Sequence, residues 1–386
     1  MARYLGVRLI QMFFLFLLFL TILFFLINAQ PGDISLQFTA NPLIPPEAKQ
    51  ILRERLGIDQ PLWGQYTSYI RNVFTLNLGV SFNHYPRTVA DILLTALPRT
   101  LYLFLTATIL AYVVGFQTGK MTAWGRGSLA EKTTMVTSII LFTVFYPWFA
   151  LLMLWFFGSA LGWFPIGKFL DPQKWFDSPY AANDVFNVML LTMFLSGAAI
   201  GLIAWLTGKY IVEPLTRRNV RRVLYLGLAF ALIVFWMLSP MSVYAADIAY
   251  HTVLPVTTLT LVFYAAITLL TRSSMLDTMT EDYIFTARAK GVPEKTIRDR
   301  HAARNALLPV TTSFVLAIAF VIGGGIVTES IFSWPGLGLT LLSAVQAEDV
   351  PVAMGALAFI GVLALFAHLI ADILYAFLDP RIRIKA

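Results

Sequence analysis

Residues that could perform catalysis or hold a metal are sparse in this sequence. There is no cysteine, and the histidines (His84, His251, His301 and His368) lie too far apart to form a metal site of the usual spacing. Neither the H-E-x-x-H nor the G-x-S-x-G pattern of hydrolases occurs. The G-x-x-x-x-G-K-[ST] loop that cradles ATP phosphates is absent as well. We therefore expect no catalytic residue, no metal and no cofactor, and we do not expect an enzyme.

One pair of ionisable residues has a spacing that could move protons. His368 and Asp372 are four residues apart in an apolar stretch, so on a helix they share one face. Asp372 also lies close to the end of that stretch, where it can pair with a basic residue or cap a neighbouring helix, and we favour either of these structural roles over a proton relay. Asp247 and His251 are expected at the outer ends of spans, within reach of water.

The richest pattern of charged and turn-forming residues lies between 272 and 306. Glu281 and Asp282 come early in a helical run, where acidic groups complement the positive end of the helix dipole. The other residues at helical spacing are Ile284, Ala287, Arg288 and Gly291. Gly291 is expected to end this helix and Pro293 to begin the next. The pattern predicts a short helix whose small-residue face, at Ala287 and Gly291, another protein could approach.

The elements that must position this loop are membrane helices. Hydrophobic residues make up 58% of the 386 and charged residues 13%, about half the charge of a soluble domain. This composition excludes an ordinary soluble enzyme, a disordered chain and a disulfide scaffold. Eight stretches without Asp, Glu, Lys or Arg are long enough to span a membrane: 9–32, 100–119, 133–167, 185–208, 223–246, 248–271, 305–328 and 350–371.

Basic residues indicate the orientation. With the N-terminus inside, most lysines and arginines fall in inner segments, as the positive-inside rule requires. A ninth apolar stretch, 330–347, contains Pro335, Gly336 and Gly338, which break a helix, so it is predicted to be interfacial or re-entrant. We predict an all-α integral membrane protein with about eight transmembrane helices and with both termini in the cytoplasm.

Two further regions allow alternative interpretations. Short helices are predicted in the external segment, one between Pro46 and Gly57 and one over 62–74, as a small cap or as a docking surface for another protein. Four arginines, Arg217, Arg218, Arg221 and Arg222, lie between two predicted spans. Such clusters fix orientation or meet anionic lipid, and we favour a topological role over a lipid or nucleotide site.

Four stretches, in one order along the chain, carry a resemblance to a known family. They are QPGD at 30–33 with ILRERLGIDQPLWGQY at 51–66 and LGVSF at 78–82; LPRTLYL at 97–103; EDYIFTARAKG at 281–291 with RHAARNALLPV at 300–310; and ESIFSWPGLG at 329–338 with DILYAFLDPRIR at 372–383. Together they resemble the inner-membrane permease subunits of ABC importers of the oligopeptide, dipeptide and nickel family. The EAA signature of that family is only partly kept, since Phe285-Thr286-Ala287 stands in its place.

The resemblance implies a transport subunit of the cell membrane without ATPase activity of its own. The implied partners are a second homologous permease subunit, two ABC ATPase subunits, an extracytoplasmic substrate-binding protein and membrane lipid, but no nucleic acid. The helix that carries Glu281, Asp282, Ile284, Ala287, Arg288 and Gly291 is implied to be the coupling helix, which sits in a groove of the ATPase. Peptides are the implied substrate, with oligosaccharides or nickel chelates as alternatives. A carrier driven by an ion gradient is the rival class.

Members of that family usually have six spans, so the two additional spans are assigned to an insertion whose role is open. The predicted segments are an N-terminal transmembrane helix (1–32), an external segment with short helices (33–96), the second and third spans (97–162), an inserted block with two extra spans (163–247), and the rest of the permease core with the coupling loop at 272–306 and the last two spans (248–386).

Overall fold

A computed structural model describes residues 2–29, 44–47, 49–50, 60–321 and 325–378. The QPGD motif at 30–33, the stretch 51–59 of the external motif and the residues after 378 lie outside the described part. The chain divides into two compact units, one formed by Met1–Phe156 and Pro255–Ala386 and the other by Phe157–Leu254.

The described regular elements are helices. In chain order they are α1 (Ala2–Asn28), α2 (Leu62–Phe74), α3 (Val89–Trp124), α4 (Leu129–Thr143), α5 (Tyr146–Met153), α6 (Ala182–Tyr210), α7 (Pro214–Leu238), α8 (Ser242–Met279), α9 (Asp282–Ala289), α10 (Ala303–Val321), α11 (Ile326–Ile331), α12 (Leu337–Gln346) and α13 (Val350–Leu378). A π-helical stretch, Leu154–Ala160, follows α5, and another, Ile297–Ala302, precedes α10. Single turns lie at Pro172–Trp175 and Glu294–Thr296.

The starts of two long helices follow from local sequence. The Thr88 hydroxyl accepts the Asp91 N–H at the start of α3, and the Ser128 hydroxyl accepts the Glu131 N–H at the start of α4, each at 3.1 Å. Such caps satisfy backbone donors that the first turn leaves unpaired. The helix predicted over 62–74 is confirmed as α2.

The all-α membrane architecture is confirmed. Within the described residues, six helices are long and apolar enough to cross a membrane, or up to seven if a bent pair is counted as one span. The exact number of spans and the side on which the termini lie remain predictions.

The bent pair lies within the stretch 133–167, where the sequence predicts a span. Helix α4 ends before Val144, and the stretch Tyr146–Ala160 leaves it at an angle of 109°. Pro147 lies in the first turn of α5. Proline is favoured in the first turn of a helix, where the N–H that it lacks would have no partner, so the chain can start a new helix here after the extended Phe145.

In the first unit, α3 is the central element. At its N-terminal end Val89 and Leu93 pack with Leu337 and Leu341 of α12 and with Ala356 of α13. Further along, Gly115 and Gly119 meet α8 so closely that an added Cβ at Gly119 would lie 2.6 Å from the Thr271 Cβ. One helix therefore contacts both the segment predicted to be re-entrant and the helix that leads into the 272–306 loop.

The second unit contains the hairpin of α6 and α7 and an ordered stretch around Asp247. The Asp247 carboxylate accepts the Asp171 N–H at 2.9 Å and the Lys174 Nζ and Trp175 Nε1 donors at 3.0 Å each. Both Asp247 and His251 are buried. The expectation that water reaches these two residues is therefore wrong, because the 171–175 stretch folds over the carboxylate.

Candidate functional site

The 272–306 loop presents a short helix, α9, held against the ends of longer helices. Ile284 is 0% exposed and Ala287 7% exposed. They pack in one apolar cluster with Ala123 of α3, Met275 of α8 and Ala306 of α10. Burial of these side chains attaches α9 to three long helices at once.

The end of α9 is built by glycine, as the sequence predicts. Gly291 has a φ of +69°, which glycine adopts without the steric cost that a Cβ brings. The Gly291 N–H donates to the Arg288 carbonyl at 2.9 Å, and the Val292 N–H donates to the Ala287 carbonyl at 3.2 Å. These two bonds form a Schellman motif, which satisfies carbonyls at the helix end and turns the chain toward Pro293.

The other predicted residues of this site are exposed at the surface of the chain. Glu281 occupies the N-cap position of α9 without a capping hydrogen bond from its side chain, and Asp282 lies in the first turn; both are exposed. Arg288 is exposed too, with its Nε 3.1 Å from the Glu294 Oε1 and its guanidinium 5.8 Å from the centre of the Trp124 ring. Gly291 is exposed with open space around it.

One part of the expectation needs correction. Ala287 does not offer its side chain to another protein, because it faces the apolar cluster beneath α9. Phe285 instead is 56% exposed on α9, and sequence reasoning missed it as a contact. The available signal was its position: it follows Ile284 and precedes Ala287, so it points away from the buried face that those two define.

An ion-pair network connects the later part of the 272–306 loop, at Arg298 and Asp299, to Lys120 of α3. Lys120 Nζ lies 3.1 Å from Asp299 Oδ1, and the Lys120 side chain is only 11% exposed. Arg298 contacts both Asp299 oxygens at 2.9 Å. Hydrogen bonding by Arg298, and then by Lys120, lowers the pKa of Asp299 to about 2. The carboxylate is therefore ionised throughout the physiological pH range.

We expect Asp299→Asn to lower the stability of the chain by about 1–2 kcal/mol, because it leaves the largely buried Lys120 ammonium without its acid. The measurement is thermal unfolding in detergent. The double variant Asp299→Asn with Lys120→Met should recover part of the loss, and Asp277→Asn, which removes an exposed carboxylate, should have little effect. Equal melting temperatures for Asp299→Asn and Asp277→Asn would show that the pair contributes nothing.

A second polar network lies at the opposite end of α3. The buried Glu329 accepts the Thr100 hydroxyl at 2.7 Å and the Leu339 N–H at 2.9 Å. The Thr100 oxygen in turn accepts the Leu337 N–H at 2.7 Å. We call Thr100, Glu329 and the two amides at 337 and 339 the Glu329 network. It satisfies two of the backbone donors that the first turn of α12 leaves unpaired, and it attaches that helix to α3.

The backbone at Gly336 packs closely against the Glu329 network. A Cβ on Gly336 would lie 2.3 Å from Glu329 Oε1 and 2.4 Å from Thr100 Oγ1. The Trp334 indole N–H donates to the Arg99 carbonyl at 3.0 Å. Since α12 has ten residues, it is too short to span a membrane, in agreement with the prediction for 330–347. No local pattern in the sequence indicates that Glu329 and Thr100 meet.

The possible proton relay is not favoured by the contacts of Asp372. Its carboxylate pairs with Arg8 of α1, at 3.1 Å between Oδ2 and Nε, which is one of the two structural roles that the sequence favoured. His368 Nδ1 lies 2.8 Å from the Ala364 carbonyl. In the part of the chain that the structure describes, no three His, Cys, Asp or Glu side chains are grouped as a metal site.

Comparison with known proteins gives consistent matches over both halves of the chain. Residues 197–384 match the family model of the binding-protein-dependent transport system inner membrane component. Residues 1–104 match the model for the N-terminal part of these membrane components. The first match includes the 272–306 loop and the Glu329 network, apart from Thr100.

Several relatives align over nearly their whole length. The di/tripeptide transport system permease protein DppB of Pseudomonas aeruginosa is 32% identical over 93% of this chain and 92% of its own. The oligopeptide transport system permease protein AppB of Bacillus subtilis is 31% identical over 95% of both chains. The dipeptide transport system permease protein DppB of Escherichia coli is 30% identical over 94% of this chain and 93% of its own.

Proposed function

Since this chain belongs to the family of binding-protein-dependent transport system inner membrane components, we propose that it is the transmembrane permease subunit of an ATP-driven importer of peptides. The chain is a multi-pass protein of the cell membrane. Peptides are chosen as the substrate because the similar permeases are named for di-, tri- and oligopeptides.

In the proposed transporter this chain has four kinds of partner. An external binding protein delivers the substrate to the outer mouth, near α2 and α12. A second homologous permease subunit completes the pathway. Two ATPase subunits bind ATP, close, and push the coupling helices, and membrane lipid surrounds the whole. The substrate then passes to the cytoplasm as the pathway alternates between outward and inward openings.

The observation that carries the proposal is the anchoring of α9. Its buried face, Ile284 and Ala287, is fixed to α3, α8 and α10, while Phe285 and the acidic Glu281 and Asp282 are exposed. A short, rigidly attached helix with an exposed aromatic ring suits a groove on another protein, where aromatic side chains often dominate the binding energy. We place the ATPase contact on α9 from Glu281 to Gly291.

The contact is tested by substituting Gly291. Gly291→Arg should lower ATPase retention more than tenfold, because a misfitting side chain at an interface centre costs about 2 kcal/mol. Gly291→Asn should retain most of the binding, because asparagine tolerates a positive φ and is small. The measurement is co-purification of the detergent-extracted chain with co-expressed ATPase subunits, together with peptide uptake.

Two outcomes would count against the proposal. If Gly291→Arg transports peptide at the parental rate, α9 is not the coupling contact. If the parental chain is always recovered without an ATPase, even when candidates are co-expressed, the importer assignment fails and the carrier driven by an ion gradient is favoured. Equal membrane levels of both variants and the parent control for insertion.

A further inference from the structure

The turn between α6 and α7 carries an unusual concentration of positive charge. Residues 209–222, which we call the basic turn, contain five basic side chains and one acidic side chain, Glu213. The Glu213 carboxylate accepts the Thr216 hydroxyl at 2.7 Å. Positive charge therefore exceeds negative charge within the basic turn, and its cations have different roles.

Two of the four arginines are used to build the hairpin. Arg221 donates from Nε to the Thr207 hydroxyl at 2.6 Å and from Nη2 to the Ala204 carbonyl at 2.7 Å. Arg217 donates from Nε to the Ile211 carbonyl at 2.7 Å. These bonds attach the start of α7 to the last turns of α6, where a positive charge is favoured by the helix dipole. Arg217 and Arg221 are thus structural.

The other two arginines have no such task. Arg218 and Arg222 are both exposed, and neither makes a hydrogen bond or an ion pair with any residue in the described ranges. Being four residues apart on α7, they share one face. Lys209, also exposed, lies with its Nζ 5.1 Å from the Trp205 ring centre and 5.3 Å from the Tyr210 ring centre. Three cations are left facing outward.

The surface next to these cations is apolar. No residue of α7 is buried within the chain, and the most apolar 18-residue stretch of α6 has no buried residue either. Exposed apolar side chains border the cations on both helices: Trp205, Leu215, Val223 and Leu226. Cations at the end of an apolar hairpin, beside an indole ring, lie where the phosphate groups of a bilayer meet its acyl chains.

We propose that Arg218 and Arg222 form a headgroup site for an anionic phospholipid, whose acyl chains lie along the apolar surface of α6 and α7. The ligand class follows from the combination of features. A soluble phosphate compound would have no use for the apolar flank, and a zwitterionic lipid would leave the positive charge unbalanced. The site explains the division of the four arginines into a structural pair and an unpaired, exposed pair.

The test is native mass spectrometry of the full-length chain in detergent, titrated with phosphatidylglycerol. The double variant Arg218→Gln with Arg222→Gln should bind the first lipid about 25-fold more weakly, because each basic side chain near an anionic surface contributes roughly fivefold in affinity. Arg218→Lys with Arg222→Lys should bind like the parent, since the charge is kept. Phosphatidylcholine should bind weakly to all of them.

Controls separate this site from general charge and from a phosphate site. Arg126→Gln with Lys132→Gln removes two exposed basic residues elsewhere and should leave phosphatidylglycerol affinity unchanged. Glycerol 3-phosphate, which has the phosphate without acyl chains, should not compete. Unchanged lipid affinity in the Arg218 and Arg222 glutamine variant, an equal loss in the control variant, or effective competition by glycerol 3-phosphate would each overturn the proposal.

Discussion

Gly119→Leu is expected to prevent α3 and α8 from packing and to remove most of the folded protein. A Cβ at this position would lie 2.6 Å from the Thr271 Cβ and 2.7 Å from the Thr268 carbonyl oxygen. Because one of the opposing atoms belongs to the backbone, no rotamer change can relieve the contact. Overpacking of this kind costs about 3 kcal/mol or more. The measurement is the yield of monodisperse protein in detergent and its melting temperature.

The matched control for this substitution is Gly201→Leu on α6. Gly201 also lies in an apolar helix, but a Cβ there would meet nothing within 4 Å. We expect Gly201→Leu to be recovered at parental yield. If Gly119→Leu were equally well folded, the close contact between α3 and α8 would not exist in the protein.

Glu329→Ala is expected to detach α12 from α3 and to abolish coupled transport. The substitution leaves the buried Thr100 hydroxyl and the partly buried Leu339 N–H without their acceptor. Each buried polar group that loses its partner costs about 1–3 kcal/mol, so the destabilisation should reach about 2–6 kcal/mol. The expected readouts are a lower melting temperature and loss of peptide uptake.

A conservative variant distinguishes the hydrogen bonds of Glu329 from its charge. In Glu329→Gln, the amide oxygen can still accept the Leu339 N–H, and the amide nitrogen can donate to the Thr100 oxygen. We therefore expect most of the stability and uptake to return. Should Glu329→Gln fail as badly as Glu329→Ala, the negative charge rather than the hydrogen-bond geometry is what the segment requires.

Much of this protein could be predicted from local patterns. The absence of charges over long stretches indicates membrane helices, because a charge in hydrocarbon is expensive. The turn at Gly291 follows from one glycine after a helical run, and the Schellman motif confirms it. The ion pair of Asp372 was one of two structural roles expected from its place near the end of a span, although its partner, Arg8, could not be named because it is 364 residues away.

Contacts between distant residues were not predictable in the same way. The sequence predicted a small-residue face at Ala287, but whether that face is free depends on Ala123, Met275 and Ala306, which come from three other helices. The meeting of Glu329 with Thr100 likewise joins residues 229 positions apart. No local pattern records which of several buried positions will be neighbours.

Two glycine pairs show most clearly which information comes from the sequence and which comes only from the tertiary structure. Gly115 and Gly119 on α3, and Gly197 and Gly201 on α6, both have the G-x-x-x-G spacing that lets membrane helices approach closely. The sequence alone determined that each pair lies on one face of an apolar helix. Only the tertiary structure decided that the first pair contacts α8 and that the second pair meets open space. The reason is that spacing fixes the shape of a helix surface, whereas the folding of the rest of the chain determines which surface lies opposite.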